Sequence, residues 1–218
     1  QQFRSSPIVL RFAYLFLALK MADIKVVHAY SDIDLQFRKE TFTQMSFPDL
    51  ERSTRSFSFE LTFQALDFHT EWKRCDMLAN YIAAYAAYQF SLQERAENII
   101  STVANELLET VVRLAPEPSE LSLQFFQLEE GLRLEARHLV RVEAMDPYLS
   151  FLNSLIDHSD EQAYLRLLTT EIKGNEYFNE LGLMMLTHDF GAKLAVNHDE
   201  ETNWFYTKVF VATEEFSA

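Results

Sequence analysis

The stretch Ser101 to Arg113 reads STVANELLETVVR, and within it Asn105, Glu106 and Glu109 fall three or four residues apart. Residues at that spacing share one helical face, where an amide oxygen is a hard ligand suited to magnesium. The plainer reading is a polar stripe along an amphipathic helix. Two doublets, His188-Asp189 and His198-Asp199, offer imidazole and carboxylate donors for a divalent metal. That chemistry needs two further ligands at helical positions, and the six histidines are otherwise unclustered. The run Asp199 to Glu201 is expected at a solvated hairpin tip. Cys75 sits within an apolar helical pattern and no Gly-x-Ser-x-Gly elbow occurs, so nucleophilic catalysis has no candidate. The four glycines, Gly131, Gly174, Gly182 and Gly191, stand far apart. Neither a dinucleotide fingerprint nor a Walker-type phosphate loop can be written with them.

The elements that must carry these groups come from 218 residues, the length of one full-sized domain or one domain with an appendage. Hydrophobic residues at 48% and aromatics at 14% supply a packed core and argue against disorder. A net charge of −14 repels polyanions, so neither nucleic acid nor an anionic membrane surface is an expected partner. The lone cysteine cannot form an internal disulfide, which points to a reducing cytoplasm.

Residues 1–20 are an outlier, with Arg4, Arg11 and Lys20 and no acid. Without those three bases the chain carries 16 bases against 33 acids, a net of −17. Phe12 to Leu19 is far shorter than the ~20 apolar residues of a membrane span, and a signal-peptide cleavage pattern is met poorly. The reading is an upstream extension before a start at Met21, with residues 1–54 as extension and lead-in and residues 55–218 as the domain.

A short strand is expected over residues 23–30. The first clear element starts at Arg55, where Phe57, Phe59, Leu61 and Phe63 alternate with Ser58, Glu60 and Thr62. Phe68, Trp72, Cys75, Leu78, Ile82 and Tyr85 predict one long helix over 68–90, with Trp72 a core anchor. A second helix is predicted over 92–114, ended by Pro116 and Pro118, then a hairpin of strands 120–127 and 132–143 turning near Gly131. Asp146-Pro147 opens a further helical stretch, continued by the apolar run Tyr164 to Leu168. Leu181 to Leu186 reads as a short helix, with the Met184-Met185 pair as core packing. Strands follow at Lys193 to Val196 and Asn203 to Val211. This order suits an α+β two-layer sandwich, a mixed or antiparallel sheet with helices packed on one face.

STVANELLETVVR closely resembles the N-box helix of the histidine-kinase-like ATPase superfamily, particularly its anti-sigma-factor-like branch, where the pattern runs Asn-Glu-Leu-Leu-Glu-Asn-Ala-Val-Lys. The resemblance implies that Glu106 stands where catalytic members position water or carry a base, and Thr110 where an Asn holds the magnesium of ATP. Arg55 to Phe90, with Trp72-Lys73-Arg74, is similar to the strand and helix preceding that box in one bacterial subgroup of regulator-like members. Leu181 to Leu186 followed by His188 to Leu194 resembles the subgroup's last nucleotide box. The motifs occur in the family's order over residues 55–213.

The departures fall on the nucleotide site that the resemblance implies. Thr110 replaces the metal-binding Asn. The first glycine box, with its adenine-binding Asp, corresponds to Val142 to Pro147, where Asp146 stands without a glycine. Glu180 replaces the first glycine of the last box, leaving Gly182 and Leu183, and sets a carboxylate where phosphate charge would lie near a helix N-terminus. Glu109 adds further negative charge. Asn105, Glu106, Glu109, Thr110, Asp146, Glu180, Gly182 and Leu183 therefore line a vestigial pocket in this reading, with no resident metal and with magnesium-ATP disfavoured. The implied function is that of a non-catalytic, cytoplasmic regulator binding a sigma factor or an anti-sigma-antagonist-like domain, with homodimerisation through the aromatic N-terminal part. The alternatives are an active ATP-dependent serine/threonine protein kinase and, more remotely, a His-Asp metal phosphohydrolase.

Overall fold

The period-two pattern after Arg55 becomes a strand because its apolar side can be paired across a whole sheet. In the computed structural model, which describes residues 25–27, 55–157 and 176–216, strand β2 (Arg55–Gln64) lies between β1 (Lys25–Val27) and β3 (Glu120–Leu128). β4 (Gly131–His138), β6 (Trp204–Ala212) and β5 (Lys193–Asp199) complete a six-stranded sheet in the order β1-β2-β3-β4-β6-β5. Every pairing is antiparallel. The register lines apolar side chains into rows that cross the sheet: Phe59, Phe125, Leu134, Val209 and Leu194 form one. Leu61, Leu123, Ala136 and Val196 form the next, with the buried polar Thr207 between the last two. The Phe59 and Phe125 rings stack at 5.0 Å. Gly131 begins β4 where a Cβ would lie 2.2 Å from the carbonyl oxygen of Val211, so only glycine lets the strands approach there.

The helices cover that apolar face, making the chain an α+β two-layer sandwich. The central helix, α3 (Gln93–Leu114), buries Ile100, Val103, Leu107, Leu108 and Val111 in the core between the layers. Each such side chain contributes about 1.5–3 kcal/mol when fully buried. Helix α2 (Lys73–Ala86) packs along α3 through Cys75, Leu78, Ala79, Ile82 and Ala83, whose small members allow close approach. The opposite sheet face carries a smaller cluster of Phe126, Leu128 and Phe210. Beside it are the Lys208–Glu135 ion pair at 3.6 Å and Arg133 over the Phe126 ring at 4.2 Å.

Four expectations change. The helix predicted over 68–90 is divided into α1 (Ala65–Thr70) and α2, because Glu71 leaves helical geometry at φ −143 and ψ 86. Trp72 falls in the break and is 37% exposed, so it is not a core anchor. The strand predicted to run to residue 143 ends at His138, and α4 (Val142–Asp157) starts before Asp146-Pro147 rather than at it. The reason is a tie to the end of α3: the Arg141 amide donates to the Leu114 carbonyl at 2.8 Å, and Ala144 N–H then closes a first turn on Arg141 O at 3.0 Å. The expected strand over 23–30 is seen at Lys25–Val27, paired with β2. The rest of residues 1–54 and the run Tyr164 to Leu168 lie outside the described residues.

Candidate functional site

A further α-helix among the described residues, α5 (Glu180–His188), sets its N-terminus against the middle of α3. Asn179 is its N-cap: Oδ1 accepts the Gly182 N–H at 3.1 Å, satisfying one of the backbone donors that a helix start leaves open. The same amide uses Nδ2 to donate to Glu106 Oε2 at 3.2 Å. That oxygen lies so close to Gly182 that a Cβ on residue 182 would be 1.8 Å from it. Gly182 is thus a glycine because the Glu106 carboxylate occupies the space a side chain would need. Burial and the neighbouring Glu109 push the Glu106 carboxyl above its ordinary pKa, while the Asn179 hydrogen bond and Arg113 oppose them.

One turn further along α3, Glu109 Oε1 accepts from Asn105 Nδ2 at 3.0 Å, and Glu109 Oε2 faces Arg113 at 3.7 Å. The Arg113 guanidinium lies over the Trp72 ring at 4.7 Å. Arg141 Nη2 donates to the Arg113 carbonyl, closing the C-terminal end of α3, and the Arg141 guanidinium lies 5.5 Å from the Tyr177 ring centre. Cys75 abuts this stripe on the α2 side, where burial first and Glu109 second push its thiol up to about 12. The thiol is therefore un-ionised and a poor nucleophile.

Of the residues singled out from sequence, Glu106 and Gly182 meet, and Asn105 and Glu109 bond to each other beside them. Glu180 is the first residue of α5. Thr110 and Leu183 point into the core, each with no exposed surface, and the Thr110 hydroxyl has no hydrogen-bond partner among the described residues. Asp146 is on the exposed side of α4, and no hydrogen bond or ion pair among the described residues joins it to the Glu106 cluster. The segment read as a glycine-box position is thus helical from Val142 onward.

The two His-Asp doublets lie on different elements. His188 Nδ1 and Asp189 Oδ1 pair at 2.8 Å at the end of α5, whereas His198 on β5 bonds Asn203 and stacks on Phe205 at 4.2 Å. Among the described residues, no group of three or more His, Cys, Asp or Glu side chains is arranged to hold a metal ion. No helix among them is long and apolar enough to cross a membrane. An open cleft of about 560 Å³ at the N-terminal end of α3 is lined by Leu92, Arg95, Asn98, Asp189, Phe190 and Glu215. Three separated segments build it, so no local motif announces it. Asn179 was also missed, although an Asn followed by an acidic first helical residue is a readable N-cap signal. Comparison of the chain with protein-family models, curated proteins and solved structures gave no match.

Proposed function

We propose that the chain is a regulatory protein that acts by protein–protein contact on a histidine-kinase-like ATPase scaffold without ATP chemistry. The observation that carries this reading is the occupied start of α5. A helix N-terminus attracts phosphate through open N–H groups and its positive dipole end. Here Asn179 takes the Gly182 N–H and the Glu106 carboxylate lies against Gly182, while Glu180 begins the helix. Negative charge and a side-chain cap therefore stand where a triphosphate would have to approach. The burial of Thr110 adds support, since its side chain points into the core rather than toward Glu106 and Glu109.

The expected partner is a sigma factor or an anti-sigma-antagonist-like domain in a bacterial cytoplasm, on the strength of the resemblance across residues 101–113 and 181–194. A thermal-unfolding titration with magnesium-ATP tests the reading. Ligands bound by the folded state alone raise its apparent stability. No saturable rise is expected; a saturable rise would overturn the proposal in favour of an ATP-dependent protein kinase.

A further inference from the structure

We infer that the sheet face opposite the helices is the docking surface of the chain's own residues 1–24, with the apolar run Phe12 to Leu19 seated on Phe126, Leu128 and Phe210. The inference is independent of the regulatory reading and replaces the expectation that residues 1–20 are an upstream extension.

Burial shows that this face is covered. An antiparallel sheet with helices on one side and water on the other alternates buried with exposed residues. β4 does not alternate: Gly131 to Ala136 are buried without a break, as are Thr207 to Val211 of β6. In the outward row, Phe126, Arg133 and Phe210 are 6%, 9% and 3% exposed. In the next outward row, Glu135 and Lys208 are 5% and 7% exposed. Lysine, arginine and glutamate on an open sheet surface keep far more of their area in water. The described helices all pack into the core on the other face, and none contributes to the cluster of Phe126, Leu128 and Phe210. The burial is that of a single chain, so the cover comes from the chain itself and not from a second copy. Phe126, Arg133 and Lys208 also hold contacts beyond those given above.

Sequence and reach select the segment. Residues 158–175 leave α4 and re-enter at α5, both of which belong to the helical side. Residues 28–54 never place more than two apolar residues in succession, whereas Phe12 to Leu19 is apolar throughout and needs a cover of its own. Residues 1–24 run directly into β1 at Lys25, on the border of the same sheet. β6 lies four strand spacings from β1, about 19 Å. Twenty-four residues span about 36 Å even at the short rise of a helix, enough to cross the face.

The test places a photo-crosslinking benzophenone amino acid at Gln124, on the outward side of β3, in the full 218-residue chain. Mass spectrometry should find the crosslink within residues 1–24. A crosslink to residues 28–54, to residues 158–175 or to a second chain, or no crosslink at all, would overturn the inference. Hydroxyl-radical footprinting of the same chain should show Phe126 and Phe210 as protected as Phe63 and Phe125 of the core. Phe16→Asp should raise oxidation of Phe126 and Phe210 several-fold and leave Phe63 and Phe125 protected. Unchanged protection of Phe126 and Phe210 in that variant also counts against the inference. A rise at all four positions reports loss of the fold, and the crosslink map of the folded parent is then the deciding result.

Discussion

The carboxylate of Glu106 and the α-carbon of Gly182 are in direct contact, and Asn179 binds both residues, accepting from the Gly182 amide and donating to the Glu106 carboxylate. Gly182→Ala tests that contact. The new methyl would lie 1.8 Å from Glu106 Oε2 and 2.6 Å from Asn179 Nδ2, so both the carboxylate and the N-cap side chain must move. Disturbing the cap and the Asn179–Glu106 hydrogen bond costs about 2 kcal/mol against a gain of up to about 1 kcal/mol in helix propensity, so stability should fall by about 1 kcal/mol. The Glu106 titration, followed by NMR, should move down toward the ordinary carboxylate range, because the displaced group leaves its buried position.

Glu106→Gln keeps an acceptor for Asn179 and removes the charge. Because the folded-state pKa of Glu106 lies above its unfolded value, ionisation disfavours folding above the folded pKa, and that penalty disappears below the unfolded one. The variant should be more stable than the parent at neutral pH, and the two should converge as the pH falls below the carboxylate range. Chemical denaturation at a series of pH values measures the difference.

His138 gives the opposite limb. It is fully buried between Thr207 Oγ1 at 2.9 Å and the Leu139 carbonyl at 3.1 Å, and desolvation lowers its pKa to about 4. The unfolded chain takes up a proton near pH 6.5 that the folded chain refuses until about 4. Stability contributed by neutral His138 is full above the unfolded pKa and falls between those two values, by on the order of 3 kcal/mol. A His138→Gln variant should lack this fall over the same window.

Thr110 offers a direct contrast between a metal position and a core position. Thr110→Val removes a buried hydroxyl that has no partner among the described residues and should stabilise the fold by about 1 kcal/mol. Thr110→Asn brings a larger polar group into a fully buried site and should cost about 2 kcal/mol or more, with no gain of magnesium-ATP binding. A saturable nucleotide response in Thr110→Asn would count against the buried assignment.

Cys75 should behave as a reporter of opening. Fully buried and with its thiol pushed up to about 12, it should resist aromatic disulfide reagents in the native state and react at once in denaturant. Fast modification under native conditions would show that α2 separates readily from α3.

Much of the layer structure could be read from period alone. The alternation of Phe59, Leu61 and Phe63 and the three-four spacing of Ile99, Val103, Leu107 and Val111 follow from single faces meeting one core. What failed depended on contacts distant in sequence. Nothing near Glu71 signals a helix break, since neither Gly nor Pro occurs there, and Trp72 turns outward to meet Arg113 some forty residues later. The end of β4 was misplaced because Arg141 is held by the last carbonyls of α3 rather than by a strand neighbour. At the candidate site, the helical face of Asn105, Glu106 and Glu109 was legible, whereas its partner Asn179 lies 73 positions from Glu106. Thr110 shows the limit most clearly, because adjacency to Glu109 in sequence places it a hundred degrees around the helix, on the buried side.

The position of β5 at one border of the described sheet has a consequence for behaviour at high concentration. A border strand offers unpaired backbone groups to other chains and can seed edge-to-edge aggregation. β5 is only seven residues long, begins with exposed Lys193 and ends in Asp199, whose carboxylate is folded back onto Glu201 and Thr202. The next strand is entered through Asn203 with φ +60, which turns the chain sharply at the tip. A short border strand with a cation at one end and a self-bonded carboxylate at the other is poorly suited to templating a neighbour, and the net charge of −14 adds mutual repulsion.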